Sequence, residues 1–127
     1  MGDRSNIVVK QGEERVYLYG HWAGFGGAVK AVMTGLARAP GRWTDAPYLT
    51  RILFDDFRGD NREATGFGIW PSLGDNEHPL VVVDLDTGCV YTTEEDGERS
   101  DPLKTSVPFA EFNHDVALAA VKQYEHR

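Results

Sequence analysis

The sequence predicts an α+β fold in which an antiparallel sheet of about five strands carries its helices on one face. The length of 127 residues is close to the usual size of one domain, so residues 1–127 are expected to form a single unit. Hydrophobic residues make up 41% of the chain, which is enough for a packed core. The predicted element order is ββααβββα. It lacks the regular β-α-β alternation that a doubly wound parallel sheet requires.

A β-hairpin is predicted at the start of the chain. Residues 6–11 form a β-type run, and residues 15–22 alternate in character after a turn at Gly12. Alternation points Val16, Leu18 and Trp22 to one face, and Tyr17, Tyr19 and His21 to the other. The second face is either an aromatic platform for a ligand or partner, or core beneath the helices. The usual burial of aromatic residues favours core.

Two helices are predicted next. The first carries an apolar stripe at i, i+3, i+4 and i+7, formed by Val29, Val32, Met33 and Leu36. The second begins near Thr44 or Asp45, which can cap it, and has Pro47 in its first turn. Gly59 is a plausible end. Its buried stripe comprises Leu49, Ile52, Leu53 and Phe57.

Three strands and a helix complete the predicted order. The strands span 65–70, 80–85 and 89–93, and the second is continuously apolar, which predicts a central position in the sheet. Asp86-Thr87-Gly88 between the last two strands matches the triplet of aspartic proteases, but a tight turn demands the same residues and is the favoured interpretation. Pro108 opens the final helix, with a possible break near Asn113. Its predicted buried residues are Phe109, Phe112, Val116 and Ala120.

Charge is distributed unevenly along the chain, whose formal net charge is −7. Residues 1–43 hold six basic and three acidic side chains, whereas residues 44–127 hold seven basic and seventeen acidic ones. Residues 94–102 are expected to form an exposed acidic loop. The acidic part would repel DNA and attract a basic protein, so a direct nucleic-acid partner is not expected. The alternative is that this charge serves only solubility.

Several function classes lack support in the sequence. Cys89 is the single cysteine, which excludes an intrachain disulfide and fits a reducing compartment. The N-terminal residues lack the apolar run of a signal peptide, and no apolar run approaches the length of a membrane span. We therefore expect a cytoplasmic protein without a membrane partner. The sequence shows no recognisable pair of a nucleophile and its general base, so a non-catalytic protein without a metal or cofactor is favoured.

One candidate ligand site combines two polar segments. Gly26 and Gly27 lie between a strand and a helix, where a phosphate could meet exposed N–H groups. Later in the chain, Asp75, Asn76 and His78 supply a carboxylate, an amide and an imidazole. Such groups can bind a hard cation, or can form a general base with the residue that orients it. The site would comprise His21, Gly26, Gly27, Asp75, Asn76 and His78. The structural alternative is a glycine link and a capped loop.

A resemblance to a known group rests on several short segments taken together. They include 2–8, Tyr-Gly-His-Trp at 19–22, Arg-Trp at 42–43, 65–69 and Asp-Asn-Glu-His-Pro at 75–79. Over residues 1 to about 90, the chain resembles small accessory proteins encoded by phages of actinobacteria and related prophages. The resemblance implies a non-virion protein made in the bacterial cytoplasm during infection, and it carries over no catalytic residue.

The favoured hypothesis is therefore a protein that binds a host or defence protein. Two surfaces could do so, one by acidic mimicry and the other through an aromatic hot spot. The acidic candidates are Asp75, Glu77, Glu94, Glu95, Asp96 and Glu98, and the aromatic candidates are Tyr17, Tyr19, Trp22 and Trp43. A small-molecule or nucleotide binder, or an enzyme, is the alternative.

Overall fold

The fold is given by a computed structural model that describes residues 2–94 and 106–125. Its strands are β1 (Ser5–Gln11), β2 (Glu14–Gly20), β3 (Phe67–Trp70), β4 (Leu80–Asp84), β5 (Cys89–Thr93) and β6 (Val107–Pro108). Its helices are α1 (Gly24–Arg38), α2 (Ala46–Arg58) and α3 (His114–Glu125), with short 3-10 turns at Pro40–Arg42 and Phe109–Glu111. No helix within these described ranges is long and apolar enough to cross a bilayer.

The α+β class is confirmed, and the predicted antiparallel sheet of about five strands is matched only roughly. The described strands form a mixed six-stranded sheet in the order β3-β2-β1-β4-β5-β6. β1 pairs with β2 antiparallel and with β4 parallel. β3 pairs with the outer side of β2, and β4 lies on the other side of β1 and runs in the same direction as β1. β6 is only two residues long, too short for a period-2 pattern to reveal it.

The connection between β3 and β4, residues 71–79, determines the shape of one sheet face. We call it the crossover segment, because it joins two strands that lie on opposite sides of the β1–β2 hairpin. Leu73 from this segment packs with Tyr17 and Tyr91 on a small apolar cluster formed by Val8, Leu80 and Val82. The segment therefore lies across the sheet face that carries Tyr17.

The main core lies on the other sheet face. Ile7, Leu18 and Val83 are fully buried there among side chains of α1 and α2. α3 packs on α1, where Ala117 joins the same core. The predicted central position of β4 is confirmed, since it lies between β1 and β5 with all five residues buried.

The capping residues and the apolar stripe in the sequence predicted the position of α2 correctly. The Asp45 side chain accepts a hydrogen bond from the Tyr48 amide, which is the N-cap geometry that satisfies an otherwise orphaned donor. The helix ends at Gly59, whose φ of 56° suits glycine. The predicted stripe of Leu49, Ile52, Leu53 and Phe57 is buried.

Two other helix predictions need adjustment. α1 begins at Gly24, so Gly26 and Gly27 lie inside its first turn and not in a loop before it. The predicted break near Asn113 is confirmed, since α3 begins at His114 after a 3-10 turn. Val116 is only half-buried, because Ala117 takes the inward position beside it.

The triplet at residues 86–88 is a turn, as predicted. Asp84 Oδ1 accepts from the Asp86 amide at 2.9 Å, and Gly88 has a φ of 69°. The Asp86 carboxylate accepts from the Gly12 amide and from Lys10 Nζ, both at 2.9 Å. The carboxylate thus links the β1–β2 turn to the β4–β5 turn.

Candidate functional site

Tyr17 and Tyr19 lie on the sheet face opposite the main core, which we call the tyrosine face. Both are half-buried, whereas Leu18 between them is fully buried beneath the helices. The sequence left open whether these tyrosines form core or a platform. In the structure they lie outside the helix-covered core, but Tyr17 packs on the small apolar cluster of Val8, Leu80 and Val82, so the tyrosine face is neither buried beneath the helices nor fully open.

Trp70 extends the tyrosine face and was missed by the sequence analysis. It pairs with Tyr17 across the β2–β3 ladder, and it is 68% exposed. The strand period places Trp70 and Gly68 on the same side of β3. The alternation along β3 could be predicted from the sequence, but the pairing of β3 with β2 could not. This pairing places Trp70 beside the tyrosines.

A concavity of about 360 Å³ lies between these aromatic side chains and the crossover segment. We call it the aromatic pocket. β2 and β3 supply Tyr17, Tyr19, Gly68, Ile69 and Trp70, β1 supplies Asn6, and the crossover segment supplies Ser72, Gly74 and Asp75. A Cβ added at Gly68 would meet no described atom within 4 Å. The glycine therefore leaves a gap in the wall between Trp70 and Tyr19.

Hydrogen bonds to β1 hold the crossover segment in position. Asn6 is 1% exposed, and its Nδ2 donates to the Asp75 carbonyl at 3.0 Å and to Asn76 Oδ1 at 3.1 Å. The Glu77 amide donates to the Arg4 carbonyl at 2.9 Å. Asn76 Nδ2 in turn donates to the His78 carbonyl at 2.6 Å. Asn76 thus has the loop-capping role that the structural alternative predicted.

Two carboxylates and one guanidinium set the charge beside the pocket. Arg4 lies 2.9 Å from Glu77 and 3.7 Å from Asp75, and Asp75 is 72% exposed. Hydrogen bonds from the Arg4 amide and guanidinium lower the pKa of Glu77. Burial raises the pKa of the Tyr19 phenol, Asp75 and Glu77 raise it further, and Arg4 opposes them. The net local charge is negative, which favours a cation in the pocket.

Two residues of the alternative ligand site, His21 and His78, meet Asp3 in a second cluster, which we call the imidazole junction and define as Asp3, His21 and His78. His78 Nε2 contacts the Asp3 carboxylate, and His78 Nδ1 lies 2.7 Å from the Tyr124 hydroxyl. His21 Nδ1 lies 2.7 Å from the Tyr19 hydroxyl, and the His21 carbonyl accepts from the Asp3 amide at 2.7 Å. Both imidazoles are thus bonded to neighbouring residues of the fold.

The predicted glycines contribute less to this cluster than the sequence suggested. Positions 26 and 27 lie in the first turn of α1, where a Cβ on Gly26 would point towards Val121 and one on Gly27 towards Ala23. Gly24 is the glycine that meets the junction, since its amide donates to the Asp3 carbonyl at 2.9 Å. The Asp3 carboxylate also lies against Gly24, beside the helix N-terminus where an anion would otherwise bind.

The remaining predicted site residues are dispersed. Trp22 is 60% exposed and packs edge-to-face on His21, with ring centroids 4.4 Å apart. Trp43 is half-buried, and its Nε1 donates to the Leu36 carbonyl at 2.9 Å, so it packs between helices far from the tyrosine face. Glu94 is half-buried. Glu95, Asp96 and Glu98, and with them most of the predicted acidic loop, lie outside the described residues.

Within residues 2–94 and 106–125, no group of three or more histidine, cysteine, aspartate or glutamate side chains is placed to hold a metal ion.

No protein-family model, curated protein or solved structure is significantly similar to this chain.

Proposed function

We propose that this chain is a non-catalytic accessory protein that binds a host or defence protein, and that its aromatic pocket receives a basic segment of that partner. One observation carries the proposal: Tyr17, Tyr19 and Trp70 surround a single concavity that Asp75 also lines. Exposed aromatic side chains beside a carboxylate suit an arginine or lysine side chain, which gains both ring and ion-pair contacts.

The composition of the pocket supports a protein partner over other ligands. Tryptophan and tyrosine dominate the binding energy of protein interfaces, particularly where they surround a small recess. The excess of carboxylates in residues 44–127 favours association with a basic surface and raises the rate of encounter. The resemblance to phage accessory proteins supports a host protein as the partner and a bacterial cytoplasm as its location.

The non-catalytic part of the proposal is supported by the imidazole junction. Both ring nitrogens of His78 have partners in the fold, Asp3 and Tyr124. A general base needs a nitrogen directed at a substrate. These contacts support a structural role for His78.

Capture of host proteins by immobilised variants tests this function. We expect Trp70→Ala and Asp75→Lys each to reduce the retained partner strongly at low salt, because a central aromatic residue contributes about 2 kcal/mol or more, roughly 30-fold in affinity. Tyr48→Ala is the matched control, since Tyr48 is 51% exposed on α2 and does not line the pocket. Equal capture by the wild type and all three variants would contradict the proposal.

The acidic segment at 94–98 is a separate part of the proposed surface. Charge reversal at Glu94, Glu95 and Asp96 is expected to weaken capture and to reduce its dependence on salt. If capture is unchanged, this segment does not contact the partner, and the aromatic pocket is the whole of the binding surface.

A small-molecule or nucleotide binder is the second candidate, favoured by the convergence of His21, His78 and the start of α1 on Gly2 and Asp3. Thermal shift with nucleotides and divalent cations tests it, because a ligand at a hundred times its Kd stabilises by about 2.7 kcal/mol. A shift that His78→Gln abolishes would support this candidate. The Asp3 carboxylate would repel a phosphate here, so we expect no nucleotide shift.

A further inference from the structure

The free edge of β3 lies directly beside the aromatic pocket. β3 is the outermost strand of the described sheet on this side, paired with β2 in antiparallel register. The His21 amide donates to the Gly66 carbonyl at 2.8 Å, so the pair 21/66 is a hydrogen-bonded pair of this ladder. Such pairs alternate along an antiparallel ladder. Gly68 and Trp70 therefore direct their backbone groups towards β2.

The same alternation directs the amides and carbonyls of Phe67 and Ile69 away from β2, onto the free edge. Two donors and two acceptors on this edge are thus placed to pair with another strand. Ile69 is 51% exposed and Trp70 is 68% exposed, on opposite faces of the strand. An exposed apolar edge of this kind is a site of strand addition.

We propose that the partner's basic segment binds as an extended strand added to the edge of β3, with an arginine or lysine beside Gly68. This inference rests on the proposed function and specifies how the partner is held. Because Gly68 has no side chain, a long side chain on the added strand can pass over it towards Tyr19 and Asp75. Backbone hydrogen bonds to Phe67 and Ile69 then supply affinity, and the pocket supplies the preference for a cation.

Charge complementarity favours this occupant over a second copy of the chain. The pocket wall holds the exposed carboxylate of Asp75. Glu77 adds to the negative field at Tyr19, and among the described residues Arg4 opposes it. A second copy paired edge to edge would bring two such walls together, and like charges in proximity are destabilising. A basic segment of another protein has no such penalty.

Two variants separate edge pairing from side-chain contact. Ile69→Pro removes a donor that points away from β2, and proline is tolerated on edge strands with the N–H side outward. Ile69→Ala removes the same side chain but keeps the donor, so it is the matched control. Gly68→Val fills the path into the pocket, and the added atoms have free space around them.

The probe is a seven-residue peptide of alternating threonine and valine with a central arginine, compared with peptides carrying lysine, glutamate or serine at the centre. Amide NMR titration measures its affinity for the full chain. We expect the arginine and lysine peptides to bind, with shifts at the Phe67 amide. Ile69→Pro should weaken binding about 5- to 10-fold relative to Ile69→Ala, the effect of one lost hydrogen bond. Gly68→Val should remove the preference for a basic centre.

The outcomes distinguish this inference from the proposed function. Equal binding by Ile69→Pro and Ile69→Ala, with binding still lost in Trp70→Ala, would overturn strand addition and leave the pocket as the binding site. If no basic peptide binds the full chain while host capture depends on Trp70, strand addition is also overturned. A dimer that Ile69→Pro dissociates would assign the edge to a second copy and overturn the partner proposed here.

Discussion

At the scale of single residues, Glu77 shows how a surface carboxylate fixes the crossover segment. Its Oε1 accepts from the Arg4 amide and from Arg4 Nε, both at 2.9 Å, while its own amide donates to the Arg4 carbonyl at 2.9 Å. These bonds to the ionised form lower the pKa of Glu77 from its ordinary value of 4.5. A lowered pKa in the folded state means that ionisation of Glu77 stabilises the fold.

The sign of the pH dependence follows from that direction. The contribution of Glu77 is fully present above its ordinary pKa of 4.5 and is lost as the pH falls through the lower pKa of the folded state. We therefore expect Glu77→Gln to unfold at lower urea than the wild type near pH 7, and the difference to shrink as the pH falls below 4.5 and through the lower pKa of the folded state. Glu63→Gln, which changes an exposed glutamate, is the control. A difference that persists at low pH would contradict this role.

At the scale of elements, the contact between α1 and α2 depends on a glycine in the last turn of α1. A Cβ on Gly35 would lie 2.7 Å from Leu53 Cδ2 and 3.5 Å from Leu53 Cα. Leu53 is fully buried, so its side chain cannot shift without displacing its own neighbours. Gly35 therefore allows the two helices to approach closely, despite its poor helix propensity.

Two alanine substitutions in α1 are expected to act in opposite directions. Gly35→Ala gains up to about 1 kcal/mol of helix propensity but crowds the core, which typically costs about 1–3 kcal/mol, so we expect net destabilisation. Gly26→Ala has the same propensity gain, and its Cβ would be 3.9 Å from Val121 Cγ1, an ordinary contact. We expect it to stabilise. Urea unfolding of both variants measures the difference, and the same sign for both would contradict the packing explanation.

Elements defined by local chemistry were predictable from the sequence. The cap at Asp45, the end at Gly59 and the stripe of α2 involve residues within a few positions of one another. The parallel pairing of β1 with β4 joins Ile7 to Val81, and no local pattern specifies which strand takes the second side of β1. The prediction rested on the element order ββααβββα, which lacks regular β-α-β alternation, so it gave an antiparallel sheet.

The candidate site was predicted only in part, because local alternation is readable in the sequence and long-range strand pairing is not. Alternation along β2 separated Tyr17 and Tyr19 from Leu18, and this separation is observed. The hypothesis that Asp75 contacts a partner remains a prediction, although the structure places it beside the tyrosines. Trp70 could not be connected with them, because its position depends on the β2–β3 register and on the path of the crossover segment.

At the scale of the whole molecule, His78 joins three distant parts of the chain. It contacts Asp3 before β1 and Tyr124 near the end of α3, while it belongs itself to the crossover segment. Tyr124 also packs on Phe25 of α1, with ring centroids 4.7 Å apart. The crossover segment that lines the aromatic pocket is therefore linked through His78 to the helical layer on the other side of the sheet.

This linkage predicts that loss of one hydroxyl loosens α3 more than the sheet. Tyr124→Phe keeps the ring on Phe25 but removes the bond to His78 Nδ1, which is expected to reduce stability by about 0.5–1.5 kcal/mol. Amide hydrogen exchange should accelerate in α3 and in the crossover segment before it accelerates in β1 and β4, because weakly held elements open by local unfolding. Tyr48→Phe, at an exposed site on α2, is the control. Unchanged exchange in α3 would show that apolar packing holds the helix without the His78 bond, and that this bond does not couple the two layers.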